Sequence, residues 1–298
     1  MHARLVLAVG FILALVAASV VVAGDVSSML RVPEADKTQI ITLRDGSTLM
    51  GRIKEVGTGI VVFSSQLGDV NIEISKIADI KEIPNSSLRG GRYWFPNPNR
   101  TRLYFAPTGR MLKAGQGYFS DIYLFFPSAG LGVTDFFSIG CGISLFPGAD
   151  ISEQLVYINP KVGFMPSEKM ALSISTLLIR VPDTDDDDSS DPTTVGILFG
   201  TATLGNDDNG LTAGLGYGYA DGEMADKPAV LLGGEWRFAR RASFVSENWM
   251  FPGIDEPLIS YGIRFFGEKL SVDLALFNIL SEDALFPGVP YVDFVWNF

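Results

Sequence analysis

The chain has 298 residues, of which 47% are hydrophobic and only 19% charged, with 32 glycines and a formal charge of −11. Phosphate contacts need clustered Lys and Arg, so nucleic-acid binding is excluded as a main role. A single cysteine, Cys141, excludes an intrachain disulfide. Residues 1–23 read as a signal peptide: Arg4 supplies the positive start, Leu5 to Val22 is apolar, and Val21-Val22-Ala23 precedes an expected cut at Gly24. The only histidine is His2, so a cleaved chain would have no Ser-His or Cys-His catalysis and no His-based metal site.

Gly24 to Thr38 reads as a short linker. Residues 39–83 then carry five short strand patterns. Asp45-Gly46 marks a hairpin, Leu67-Gly68-Asp69 a second, and Val70 to Ile74 alternates cleanly. On the Leu43–Gly51, Leu67–Ile74 and Ile77–Ile83 patterns this stretch resembles an SH3-like or Sm-like small β-barrel. The resemblance implies a periplasmic module that binds a partner or stacks with copies of itself; the alternative is a small plug or spacer with no ligand. Residues 84–101 read as a linker with three prolines. Its Tyr93-Trp94-Phe95 run suits either a membrane interface or a lid packed on the small domain.

From Arg102 the rhythm lengthens to about ten residues per segment. Twelve strands are expected, near 102–107, 117–133, 136–146, 154–164, 170–181, 193–204, 210–220, 228–238, 243–251, 257–266, 270–278 and 289–298. Pro127 falls inside the second and implies a bulge or two shorter segments. Alternation is regular in several. Leu211, Ala213, Leu215, Tyr217 and Tyr219 oppose Thr212, Gly214, Gly216 and Gly218, and Ile259, Tyr261, Ile263 and Phe265 oppose Ser260, Gly262 and Arg264. One face is greasy and the other is Gly, Ser and Thr with scattered charge, as a lumen would require. Strands 154–164 and 243–251 alternate poorly.

The last strand, Pro290 to Phe298, places Val292, Phe294, Trp296 and Phe298 on one face. Here the chain resembles bacterial outer-membrane β-barrels, whose closing strand typically ends in Phe. The resemblance implies a signal at Phe294, Trp296 and Phe298 for the barrel-insertion machinery, contact with outer-membrane lipid, and a barrel with aromatic girdles. The expected fold is therefore all-β: a transmembrane antiparallel barrel of about twelve strands over residues 102–298, preceded by the small SH3-like or Sm-like β-barrel. An even strand count brings both barrel ends to one rim, placing the N-terminal domain in the periplasm.

Charges expected to face the lumen are Asp121, Lys161, Glu235, Arg237, Arg264, Asp273 and Asp293. They would pair and fill the barrel or line a porin-like pore, and twelve strands lie between the filled and open cases. The acidic stretch Pro182 to Pro192 has oxygen ligands that suit Ca²⁺ but matches no known loop spacing, so a solvated loop is expected. No cofactor or metal is implied. Three roles are compatible: a narrow channel or solute-binding barrel with a docking module, a plugged barrel anchoring the small domain, and an outer-membrane enzyme without histidine. The expectation is that the chain is not an enzyme.

Overall fold

A computed structural model describes residues 26–182, 193–280 and 287–298. The expected signal peptide and most of the acidic loop lie outside them. The chain divides near Phe95/Pro96 into two compact units.

In the first unit a short helix, α1 (Val26–Met29), precedes β1 (Lys37–Leu43), β2 (Thr48–Val56), β3 (Ile60–Ser65), β4 (Gly68–Glu73) and β5 (Ile77–Pro84). They form one antiparallel sheet in the order β4-β3-β2-β1-β5. The expected SH3-like closure is not shown: β4 and β5 stand at opposite edges and do not pair. Ile41, Ile53, Val61, Phe63, Ile72, Ile77 and Ile80 form the core, with Val26, Met29 and Leu30 packed on it. Gly51 is obligatory, because a Cβ there would lie 2.0 Å from the Ser64 carbonyl oxygen. The aromatic run after the sheet meets cations: Lys81 lies 5.1 Å over Tyr93 and Arg89 4.5 Å over Trp94. A two-residue hairpin, β6 (Leu88–Arg89) and β7 (Arg92–Tyr93), carries them.

Arg31 donates to both carboxylate oxygens of Glu82 at 3.2 Å, and Gln39 adds a third contact. The hydrogen bond from Arg31, opposed by partial burial, holds the Glu82 carboxyl below its usual range. A carboxyl lowered by folding stabilises at neutral pH, and that contribution disappears as pH falls through the lowered value, below about 4.3. Glu82→Gln is therefore expected to flatten the acid limb of this domain's unfolding. Hydrogen exchange of residues 77–84 across pH 3–6 checks it, and identical pH profiles for the two proteins would contradict it.

The second unit is a closed barrel. Its strands are β8 (Gly117–Ile122), β9 (Phe126–Gly132), β10 (Phe137–Ile143), β11 (Val156–Ser167), β12 (Met170–Val181), β13 (Thr193–Gly205), β14 (Asn209–Ala220), β16 (Ala229–Ala239), β17 (Ala242–Met250), β18 (Leu258–Phe266), β19 (Leu270–Ile279) and β20 (Val289–Asn297). A two-residue flap, β15 (Glu223–Met224), pairs only with β14. Each of the twelve pairs antiparallel with its neighbours, and β20 pairs with β8 to close the ring. Gly117 and Phe298 exchange both backbone hydrogen bonds at 2.9 and 3.0 Å, so the last residue seals the seam. Closure leaves no unpaired edge, which a hydrocarbon surrounding demands.

Burial is inverted relative to a water-soluble protein. On β14 the outward Leu211 and Leu215 are 69% and 55% exposed, while inward Thr212 is buried. Outward Ile174, Leu232, Trp236, Phe265, Phe294 and Trp296 are likewise exposed, whereas Arg264, Glu247, Asp273 and Asp293 are completely buried inside. Trp236, Phe238, Phe244, Phe265 and Trp296 all fall near the short-turn end, as an aromatic girdle would. Short turns at 133–136, 168–169, 206–208, 240–241 and 267–269 share that rim, and the connections at the other rim are mostly longer.

Twelve strands are present, but through two offsetting differences from expectation. Residues 102–107 are not a barrel strand: they belong to a segment inserted in the lumen. The expected strand 117–133 is two strands joined by a tight reversal, with Tyr123 and Leu124 at φ 56° and 65°. Pro127, lacking an N–H, stands second in the new strand β9.

Candidate functional site in the barrel lumen

Residues 96–116 enter the lumen before β8 begins. They fold as a loose hairpin: Arg102 bridges Pro107, the Thr108 N–H donates to the Thr101 carbonyl at 3.0 Å, and the Leu103 N–H to the Ala106 carbonyl at 2.8 Å. Ladder bonds are few, so the tip must find acceptors elsewhere. Glu247 of β17 supplies them. One carboxylate oxygen accepts the backbone N–H groups of Tyr104, Phe105 and Ala106 at 2.9, 3.0 and 3.0 Å, and the other accepts the Trp249 indole N–H at 2.8 Å. Around this clamp Leu103 and Tyr104 pack on Val245, Ala275 and Tyr291, and Ala106 on Ala229, Leu231 and Trp249. Gly233 permits the approach: a Cβ there would meet Leu103 at 2.5 Å.

The inward charges form a row across neighbouring strands. Strand register runs Arg237–Ser243–Arg264–Asp273–Asp293 from β16 to β20. Arg264 grips Asp273 with two hydrogen bonds of 2.7 and 2.8 Å and reaches Glu235 at 3.0 Å. It also donates to the Leu103 carbonyl of the hairpin at 2.5 Å. Asp273 and Asp293 stand directly opposite each other, an unfavourable juxtaposition for two carboxylates. The inserted segment relieves it, because Arg102 forms an ion pair with Asp293, which also accepts from Ser120 at 2.8 Å. Deeper ties follow the same pattern. Arg110 pairs with Asp207 at 2.8 Å, Asn97 donates to Glu235 at 2.7 Å, and the Gly109 N–H donates to Thr203 at 2.8 Å. The segment thus brings cations, Arg102 and Arg110, to two carboxylates of the barrel.

Of the residues expected in the lumen, Lys161, Glu235, Arg237, Arg264, Asp273 and Asp293 face inward. Arg237 pairs with Asp208 at 2.6 Å near the short-turn rim. Asp121 is a correction. It stands opposite Phe294 and Pro127, both on the outer face, while its neighbours Ser120 and Ile122 take the inner one. Its Oδ1 is buried without a hydrogen-bond partner. Glu247, Arg102 and Arg110 were not singled out from sequence. Outward Ser246 and Asn248 bond to each other and to carbonyls of neighbouring strands, which erases the alternation that would have exposed Glu247.

Against the other wall the hairpin leaves a cavity of about 430 Å³. It is lined by Tyr104 and Phe105 of the hairpin and by inward side chains of β8 to β13, among them Ile122, Phe126, Tyr157, Leu177, Ile179 and Phe199. No cluster of three or more metal-ligating side chains occurs among the described residues. The acidic stretch considered for Ca²⁺ lies almost wholly outside them.

No protein-family model matches the sequence, and no curated protein matches it significantly. In fold the chain is similar to OmpT, an outer-membrane protein of Vibrio cholerae, at 11% identity and a TM-score of 0.33, covering 88% of this chain and 95% of that one. It is similar to OmpF of Salmonella typhi, solved in complex with daunomycin, at 10% identity and TM-score 0.32, covering 88% and 95%. It is also similar to OprD of Pseudomonas aeruginosa at 8% identity and TM-score 0.34, covering 88% and 92%. The expectation that the chain is not an enzyme is corrected: OmpT stands among these likenesses beside OmpF and OprD, and the set leaves catalysis undecided. The only histidine in the sequence, His2, lies outside the described residues. The closed ring of twelve strands is established by the strand pairing itself.

Proposed function

We propose that this chain is a bacterial outer-membrane β-barrel held closed by its own inserted segment, and that it anchors the small N-terminal β-domain on the periplasmic side. The observation that carries this is the Glu247 clamp on the tip of the inserted hairpin. A belt of exposed apolar side chains around a polar interior with buried ion pairs supports the membrane location. In this reading Phe294, Trp296 and Phe298 are the signal recognised by the insertion machinery. Residues 39–83, SH3-like in strand pattern, are the part offered to a periplasmic partner.

The second reading, a narrow channel or solute-binding barrel, is favoured by one observation, the cavity beside the hairpin. Planar-bilayer recording separates the two. The intact protein is expected to give no stable conductance steps, whereas deletion of residues 97–112 gives them. Steady conductance from the intact protein would overturn the anchor reading.

A further inference from the structure

The lumenal cavity has a chemical polarity that the plugged-anchor reading does not use. Its upper walls are aromatic and aliphatic, from Phe126, Tyr157, Leu177, Ile179 and Phe199. Two cations, Arg102 and Lys161, line it, and among the described residues no carboxylate does. Arg102 is neutralised by Asp293. Lys161 is buried, and among the described residues its ammonium meets only the backbone carbonyls of Thr101 and Arg110. A buried ammonium without a counter-ion is costly, so an anion arriving there would gain substantially. Register places Lys161 opposite Ser138, at the short-turn end of the cavity. The lining continues along β10 to Ser144, roughly 20 Å at 3.4 Å per residue. Its volume falls in the range of small-molecule sites.

We propose that this cavity binds an amphiphilic anion: a single hydrocarbon body lying among the aromatic walls, with one carboxylate or phosphate head at Lys161. Binding of this kind is non-covalent and leaves the hairpin seated. It requires the barrel with its hairpin seated but not the small N-terminal domain, so it stands or falls separately from the anchor role.

The test uses the full-length protein in lipid nanodiscs, with photoreactive palmitate, hexadecyl phosphate, hexadecanol and hexadecyltrimethylammonium as probes and empty nanodiscs as background. Palmitate or hexadecyl phosphate is expected to label the inward residues Tyr157, Leu177 and Phe199 saturably. The tighter of the two identifies the head group. Hexadecanol should bind at least tenfold more weakly, and the ammonium probe should not label these residues. Lys161→Gln should bring the anion down to the hexadecanol level without changing hexadecanol itself. Gly140→Leu is an independent variant. Gly140 faces the cavity, and a Cβ there meets nothing closer than 3.5 Å, so the larger side chain should fill the space and abolish labelling by every probe. Labelling confined to outward residues such as Ile158 and Ile174 would mean surrounding lipid only and would overturn the proposal. So would equal binding of anion and alcohol by the unaltered protein.

Discussion

Glu247→Ala is expected to unseat the inserted hairpin and turn a silent barrel into a conducting one. Among the described residues Glu247 alone accepts the N–H groups of Tyr104, Phe105 and Ala106. Hydrogen bonds to a charged group are worth roughly 1.5–3 kcal/mol each, and a buried donor left without a partner costs about 1–3 kcal/mol. Three such donors at one tip exceed what the loose bridge at Arg102–Pro107 can offset. The hairpin instead satisfies its backbone by leaving for water. Glu247→Gln keeps one carbonyl acceptor and the shape of the side chain, so it should open less often. Planar-bilayer recording on folded protein checks the order: closed for the unaltered chain, intermittent for Gln, frequent for Ala. A folded Glu247→Ala barrel that stays closed would show that the clamp does not hold the segment.

Arg264→Met should be the most destabilising single change in the barrel wall. It strands Asp273, which is completely buried, and removes the cation that Glu235 shares. Removing one partner of a buried pair costs about 3–5 kcal/mol, because the remaining charge is left uncompensated. It also leaves Asp273 facing Asp293 across the ladder with one arginine, Arg102, between two carboxylates. Pairing the change with Asp273→Leu removes the stranded charge and is expected to restore most of the loss. Thermal unfolding in detergent, followed by the mobility shift of folded against unfolded barrel, reads both. Equal destabilisation by the single and double variants would contradict the argument.

The outer surface of the barrel was legible in the sequence where apolar residues recur at every second position of a strand, a period of two. Leu211 to Tyr219 and Ile259 to Phe265 display it without interruption. The interior was legible only one residue at a time. Lys161, Glu235, Arg264, Asp273 and Asp293 could be assigned inward by parity, but their row depends on the stagger between strands, which no single strand encodes. Asp121 was misassigned against the parity of its own strand, in which Ser120 and Ile122 face inward and Asp121 therefore faces out. The inserted hairpin was illegible because it follows no period. Its backbone is satisfied by Glu247, Thr203 and Arg264 rather than by a ladder, so residues 102–107 have the composition of a strand without its pairing. Gly233 shows how closely the hairpin approaches the wall: the space a side chain would fill is taken by Leu103.

Cysteine scanning of β14 in a Cys141→Ser background, with a nitroxide at each position from Leu211 to Tyr219 in a lipid bilayer, tests most directly whether hydrocarbon touches the greasy face of these strands. Collision with oxygen should exceed collision with a water-soluble nickel complex at Leu211, Ala213, Leu215, Tyr217 and Tyr219. Both should be low at Thr212 and Gly214, where the lumen is packed. Strong nickel collision at Leu211 and Leu215, level with that of a label in water, would mean that solvent bathes this face and that the barrel does not reside in a membrane.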